Sequence, residues 1–158
     1  MASSRKIVSY KQTLAALFIN NERIVELINQ ADITNPEKLI HNNIFEFIRI
    51  PEVPEEQKTF ICIEISIPEV YTVNFLFKQL VIEIYVISHQ GLMVTDEGGC
   101  RTDLLAAEVD EMLSGYKGIG VKPLELISNV PKAVGDKHRA RVLRFKTEIS
   151  AKDCGIDV

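Results

Sequence analysis

The chain has no tryptophan, only three histidines and three cysteines, and a shortage of positive charge. Each shortage removes a class of function. Its longest apolar candidate, Thr59 to Ile67, falls far short of the ~20 residues that span a bilayer, so no membrane helix is expected. The opening Met-Ala-Ser-Ser-Arg-Lys carries charge, but no uninterrupted hydrophobic region with a small-residue cleavage site follows. It does not read as a secretory signal, and the protein is expected to stay in the cytoplasm where it is made. Cys62, Cys100 and Cys154 are odd in number and widely spaced, which fits neither a disulfide framework nor a Cys-x-x-Cys metal clip. His41, His89 and His138 stand far apart, and none belongs to a His-x-x-x-His helical pair, so no metal or other cofactor is expected. Lys and Arg total 18 against 22 Asp and Glu, a net charge of −4. That is the wrong sign for gripping nucleic-acid phosphates. A protein partner or small ligand is favoured instead, although a mildly acidic surface still lets DNA slide past without sticking.

What remains suffices for one folded domain. With 158 residues, 46% hydrophobic and 25% charged, the chain is long and apolar enough to bury a core. Residues 1–149 read as a single globular α+β domain and 150–158 as a loose C-terminal tail. From Gln12 to Gln30, Leu14, Leu17, Phe18, Ile24, Leu27 and Ile28 recur at three- and four-residue steps, a helical stripe that Asn20 and Asn21 can interrupt. Asn35-Pro36-Glu37 offers an N-cap with proline behind it, and a short helical turn to about His41. Period-two alternation predicts strands at Thr59–Ile67, with four isoleucines on one face, and at Leu80–His89, with Leu80, Ile82, Ile84 and Val86 on one face. These two strands should be sheet neighbours. After the Asp96-Glu97-Gly98-Gly99 turn, a helix is expected from Thr102 as N-cap to Gly115, burying Leu105, Val109, Met112 and Leu113, with Asp103 favourably placed in its first turn. A short strand around Leu124 to Ser128 and a closing strand from Arg141 to Ile149, with Leu143 and Phe145 inward, complete the pattern. The fold class is α+β: a mixed, mostly antiparallel sheet of about four strands, with helices mainly on one face.

Reactive constellations are few. Glu64 and Glu83 can oppose each other across the two central strands, as paired acid and base groups do, yet two solvated carboxylates account for the same pattern. The glycines of Gly115-Tyr116-Lys117-Gly118-Ile119-Gly120 follow a helix, whereas phosphate loops open one. Cys100 beside Arg101 would need a base such as His89 brought to it in space. The one strong charge asymmetry is the basic run Lys132, Lys137, His138, Arg139, Arg141, Arg144 and Lys146, which lacks interleaved stacking aromatics. It reads as a solvated loop tip and strand face, or as a surface docking on an acidic protein neighbour. Arg144 and Lys146 fall side by side opposite Leu143 and Phe145, with Arg139 nearby in the chain. In the stretch from Val70 to Phe77, Val73, Phe75, Leu76 and Phe77 have no evident intrachain partner, the mark of an interface.

The segments Ser88-His89-Gln90-Gly91-Leu92-Met93, Arg101-Thr102-Asp103-Leu104-Leu105-Ala106, Asp110-Glu111-Met112-Leu113-Ser114-Gly115, Gly118-Ile119-Gly120 and Arg141-Val142-Leu143-Arg144-Phe145-Lys146-Thr147 add something specific. Together they resemble the tail terminator and head–tail connector proteins of phages and prophages of Gram-positive bacteria. The resemblance covers roughly the last 90 residues well and the opening helix more loosely. It implies a non-enzymatic virion protein, assembled in the host bacterial cytoplasm and placed at the head-proximal end of the tail. Such a subunit forms a ring, usually hexameric, that stacks on the last ring of tail tube protein, halts tube growth and presents the surface for the head–tail connector. DNA passes through its lumen, and in contractile tails a related protein also engages the sheath protein. Within the matching motifs, His89, Arg101 and Asp103 are implied as inter-subunit or strand–helix polar contacts, with local capping as the plain alternative for Asp103. A head–tail stopper or adaptor is the nearest competing role. A small-ligand enzyme using Glu64, Glu83 and Tyr85 is the competing class.

Overall fold

The computed structural model describes residues 3–30, 34–51, 56–68 and 77–150. Three helices, α1 (Ser3–Ile19), α2 (Glu22–Ile28) and α3 (Arg101–Leu113), pack against a five-stranded sheet of order β1-β2-β3-β5-β4. The strands are β1 (Ile44–Phe45), β2 (Thr59–Ser66), β3 (Phe77–His89), β4 (Glu125–Val134) and β5 (His138–Ser150). Among the described residues only β1 runs parallel to its neighbour; the other three pairings are antiparallel. The α+β class, the mixed sheet and the pairing of β2 with β3 are as the alternation predicts, with five strands in place of about four.

The helices lie on one face because the alternating strands offer them one apolar face. Ile61, Ile63 and Ile65 of β2, Leu80, Ile82, Ile84 and Val86 of β3, and Leu143, Phe145 and Ile149 of β5 form one buried cluster with Leu14, Phe18, Ile24, Leu27, Leu105, Val109 and Leu113 from the helices. The break between α1 and α2 falls at Asn20-Asn21, where Asn21 caps α2 by accepting from the Ile24 amide at 3.1 Å. Asn35 caps the short 3-10 turn Pro36–Leu39 in the same way.

Several boundaries differ from the expectation. α1 starts at Ser3, well before Gln12, and β1 was not foreseen. The N-cap of α3 is Cys100, which makes no side-chain cap bond. Thr102 is instead turned into the core, 3% exposed, with its hydroxyl toward Met93 Sδ. β4 runs ten residues, well past Ser128, and β5 includes Ser150 and starts at His138. The remaining tail residues, 151–158, lie outside the described residues, as do Val73, Phe75 and Leu76 of the apolar stretch; Phe77 opens β3 opposite Ser150.

Gly120 fixes the approach of the α3–β4 loop to the sheet. Its φ of +70° is a left-handed conformation, and a Cβ there would meet the Glu148 carbonyl oxygen at 2.5 Å. The neighbouring Val121 amide donates to that same carbonyl at 2.8 Å.

Candidate assembly surface

Strand β4 and the turn that joins it to β5 are the part of the sheet that the helices leave most open, whereas β5 packs Leu143, Phe145 and Ile149 under them. Val134 pairs with His138 across a turn whose first residue, Gly135, has φ +64°. β4 bonds to β5 along one side, with a register irregularity between Leu126 and Ser128, and it ends the strand order, so its outer edge has no partner strand among the described residues. Seven of its ten residues are exposed, including Ile127 at 44% and Val130 at 49%. Pro131, Lys132 and the irregularity are the devices by which an edge strand resists indiscriminate pairing.

Side-chain parity sorts the basic run. Arg144 and Lys146 share the face opposite the helices, but each has a carboxylate opposite: Glu83 pairs in register with Arg144, and Glu125 with Lys146 at 3.8 Å between side chains. Arg139 does not join them. Five residues separate it from Arg144, an odd number, so it emerges on the helix side with Arg141. Arg141 binds Asp103 at 2.6 Å and the Asn129 side chain at 3.1 Å, tying β5 to the first turn of α3 and to β4. Arg139 is exposed and has no ion pair among the described residues. Between the start of α3 and the hairpin lies an open trough of about 410 Å³, with Met93, Pro131, Ala133 and Ala140 in its lining, Lys132 and Arg139 supplying positive charge, and Arg141 paired there with Asp103.

The two motif residues His89 and Arg101 are used inside the chain. Arg101 donates to the carbonyl oxygens of Leu92 and Leu27, joining α3 to α2. His89 is 6% exposed; its Nδ1 accepts from the Gly91 amide at 2.9 Å, which puts the ring proton on Nε2. Its ring stands edge-on to His138, centroids 5.1 Å apart, and the Nε2 has no hydrogen-bond partner among the described residues. Burial pushes the His138 pKa down, reinforced by His89 and opposed by its bond to the Glu56 carbonyl at 3.2 Å.

The opposite sheet face also gathers Glu64, Glu83 and Tyr85. Glu64 and Glu83 are direct cross-strand neighbours, a like-charge pairing that costs stability unless neutralised. Lys11 supplies the counter-charge, donating to Glu64 at 3.1 Å and to the Glu46 carbonyl at 2.6 Å. Tyr85 donates to Glu83 at 3.3 Å; burial and the carboxylates of Glu83 and Glu64 push its hydroxyl up, with Arg144 opposing. The neighbouring Cys62 is buried, and that burial raises its thiol to about 11, so it is protonated and a poor nucleophile near neutrality. Arg101, the cation that follows Cys100 in the sequence, is turned into its two bonds to the Leu92 and Leu27 carbonyl oxygens. Among the described residues, no three His, Cys, Asp or Glu side chains gather as a metal site would require, and no helix is long and apolar enough to cross a membrane.

Sequence reasoning missed the length and openness of the hairpin. Gly135-Asp136 between Val134 and the next strand was an available turn signal. The sequence model of the YomW family matches residues 14–147, from α1 to the later part of β5. No curated protein matches the chain.

Proposed function

The chain belongs to the YomW family, a phage-related family named after a Bacillus prophage-type gene, and from that membership we propose that it is a tail terminator, a structural virion protein without catalytic activity. Six copies close into a ring on the last ring of tail tube protein, stop its polymerisation and present the joining surface for the head–tail connector. DNA passes through the lumen without specific binding, in keeping with the net charge of −4. In a contractile tail the sheath protein would be a further partner. The ring assembles in the host cytoplasm and ends in the virion at the head-proximal end of the tail.

The observation that carries this reading is the division of the sheet. One face is packed by three helices, while β4 at the end of the strand order has mostly exposed side chains and an outer edge with no partner strand among the described residues. A lone soluble domain gains nothing from such a wing; a subunit that must contact neighbours does. The carboxylates that a ligand-binding enzyme would use are already engaged, Glu64 by Lys11 and Glu83 by Tyr85.

Deletion of the gene, followed by electron microscopy of the lysate, tests the role. The terminator reading expects full heads beside overlong or ragged tails, restored by the wild-type gene. Tails of normal length beside heads that leak DNA would move the protein to the stopper position, and normal infectious particles would remove it from the virion. In a complemented strain, the triple replacement Glu64→Gln, Glu83→Gln and Cys100→Ser is expected to leave particle yield within about threefold of wild type. Loss of infectivity from normally assembled particles would favour an enzyme.

A further inference from the structure

We infer that neighbouring copies join head to tail, the cationic turn end of the β4–β5 hairpin of one subunit docking on the acidic α2–α3 face of the next; the inference rests on the ring reading above. Charge is segregated within the fold. Residues 22–29 and 93–115, covering α2, the loop before α3 and α3 itself, carry eight carboxylates against two arginines. Both arginines are spent internally, Arg23 on Glu26, Glu97 and Glu108, and Arg101 on backbone carbonyls. Glu22 and Glu111 are exposed and form no ion pair among the described residues. The turn half of the hairpin has the opposite balance: from 131 to 141 it carries Lys132, Lys137, Arg139 and Arg141 against Asp136, and of these Arg141 is already paired with Asp103 of the same chain. Lys132 is exposed with its ammonium 5.5 Å from the Tyr85 ring centre, and Arg139 is exposed without an ion pair among the described residues.

This segregation selects the kind of contact. An isologous pair built on either patch would set like charges against each other, hairpin to hairpin or helix face to helix face, and like charges across an interface can cost several kcal/mol. A heterologous contact sets cations on carboxylates. Repeated with closure, it generates a ring. Contact chemistry other than charge is available at the same hairpin, where Ile127 and Val130 are exposed and the trough beside Arg139 has an apolar lining. The occupant is a second copy of this chain because the complementary patch is on the chain itself.

The test uses two full-length variants, each reversed on one patch: Lys132→Glu with Arg139→Glu, and Glu22→Lys with Glu111→Lys. Sedimentation velocity at low salt should show wild-type rings, and single monomers for either variant alone. An equimolar mixture should regain rings of alternating subunits, because each reversed patch then meets a complementary one. The milder Lys132→Gln with Arg139→Gln should weaken association about tenfold or more, and circular dichroism should show every variant melting close to wild type. Rings formed by either reversed variant alone overturn the inference while leaving the ring reading intact. A mixture that stays monomeric, although both variants melt like wild type, also overturns it. A wild-type chain that is monomeric at every concentration, alone and with tail tube protein, overturns the ring reading itself.

Discussion

The helix-covered face and the β4–β5 hairpin belong to one sheet but obey different rules. On the covered face, Ile82, Ile84 and Val86 of β3 are all fully buried. On β4 the outward residues Val130 and Lys132 and the inward residues Pro131 and Ala133 are all exposed. The first region holds the chain in shape, because apolar area removed from water scales with stability. The second adds little to stability. Under the proposed ring it would offer edge, charge and apolar side chains to a neighbouring copy, and the difference predicts that folding and assembly can be damaged separately.

The largest expected effect is on the covered face. Phe145→Ala removes a fully buried ring at the centre of the β5 contact with the helices. It should cost about 3–5 kcal/mol and lower the melting temperature by roughly 10 °C, read by calorimetry. Retention of the wild-type melting point would mean that the sheet–helix core is not where stability resides. Gly120→Ala comes next. It forces a side chain into a left-handed conformation against the Glu148 carbonyl, and a loss of about 1–3 kcal/mol in urea unfolding is expected.

The boundary between the two regions is the His89–His138 pair at the base of the hairpin, and pH probes it. The folded-state pKa of His138 lies below its ordinary value of 6.5, mainly through burial. Above about 6.5 neither state carries the proton, so His138 contributes no pH dependence there. As pH falls below 6.5, the unfolded chain takes up the proton first. Stability should therefore fall until the folded-state pKa is passed, and then level off. His138→Phe should flatten that slope; an unchanged slope between pH 6.5 and 5 would assign it to other groups.

The smallest effect belongs to the open strand. Ile127→Ser with Val130→Ser should shift unfolding stability by no more than about 0.5 kcal/mol per site while weakening any ring. A cooperative loss as large as that of Phe145→Ala would show that the hairpin is core after all.

What could be read beforehand follows the same division. Alternation revealed β2, β3 and the inward side of β5 because one face of each meets the core, and the Asn20-Asn21 break was visible because Asn21 caps a helix locally. Where no face is buried, alternation is silent: β4 looked five residues long, Leu124 to Ser128, since Pro131 and the mixed Asn129 and Lys132 obscure a strand largely exposed on both faces. The early part of α1 was missed because few apolar residues precede Leu14. Two-residue β1 carries no period at all. Of the candidate contact residues, the parity of Arg144 and Lys146 was legible. That of Arg139 was equally so, had the odd five-residue spacing been followed to the other face. The inward roles of His89 and Arg101 depend on Gly91, Leu27 and Leu92 arriving in space, which spacing along the chain does not encode.

The most direct measurement is hydrogen exchange on the full-length chain, compared between dilute protein in high salt and concentrated protein in low salt. Peptides covering β4, residues 125–134, should exchange fast in the first state and slow by about tenfold or more in the second, together with peptides from the exposed side of α3. Those from β2 and β3 should be slow in both. Exchange in β4 that is the same in both states, or already slow in the dilute chain, would contradict the account in which the helix-covered face folds the protein and the open hairpin assembles it.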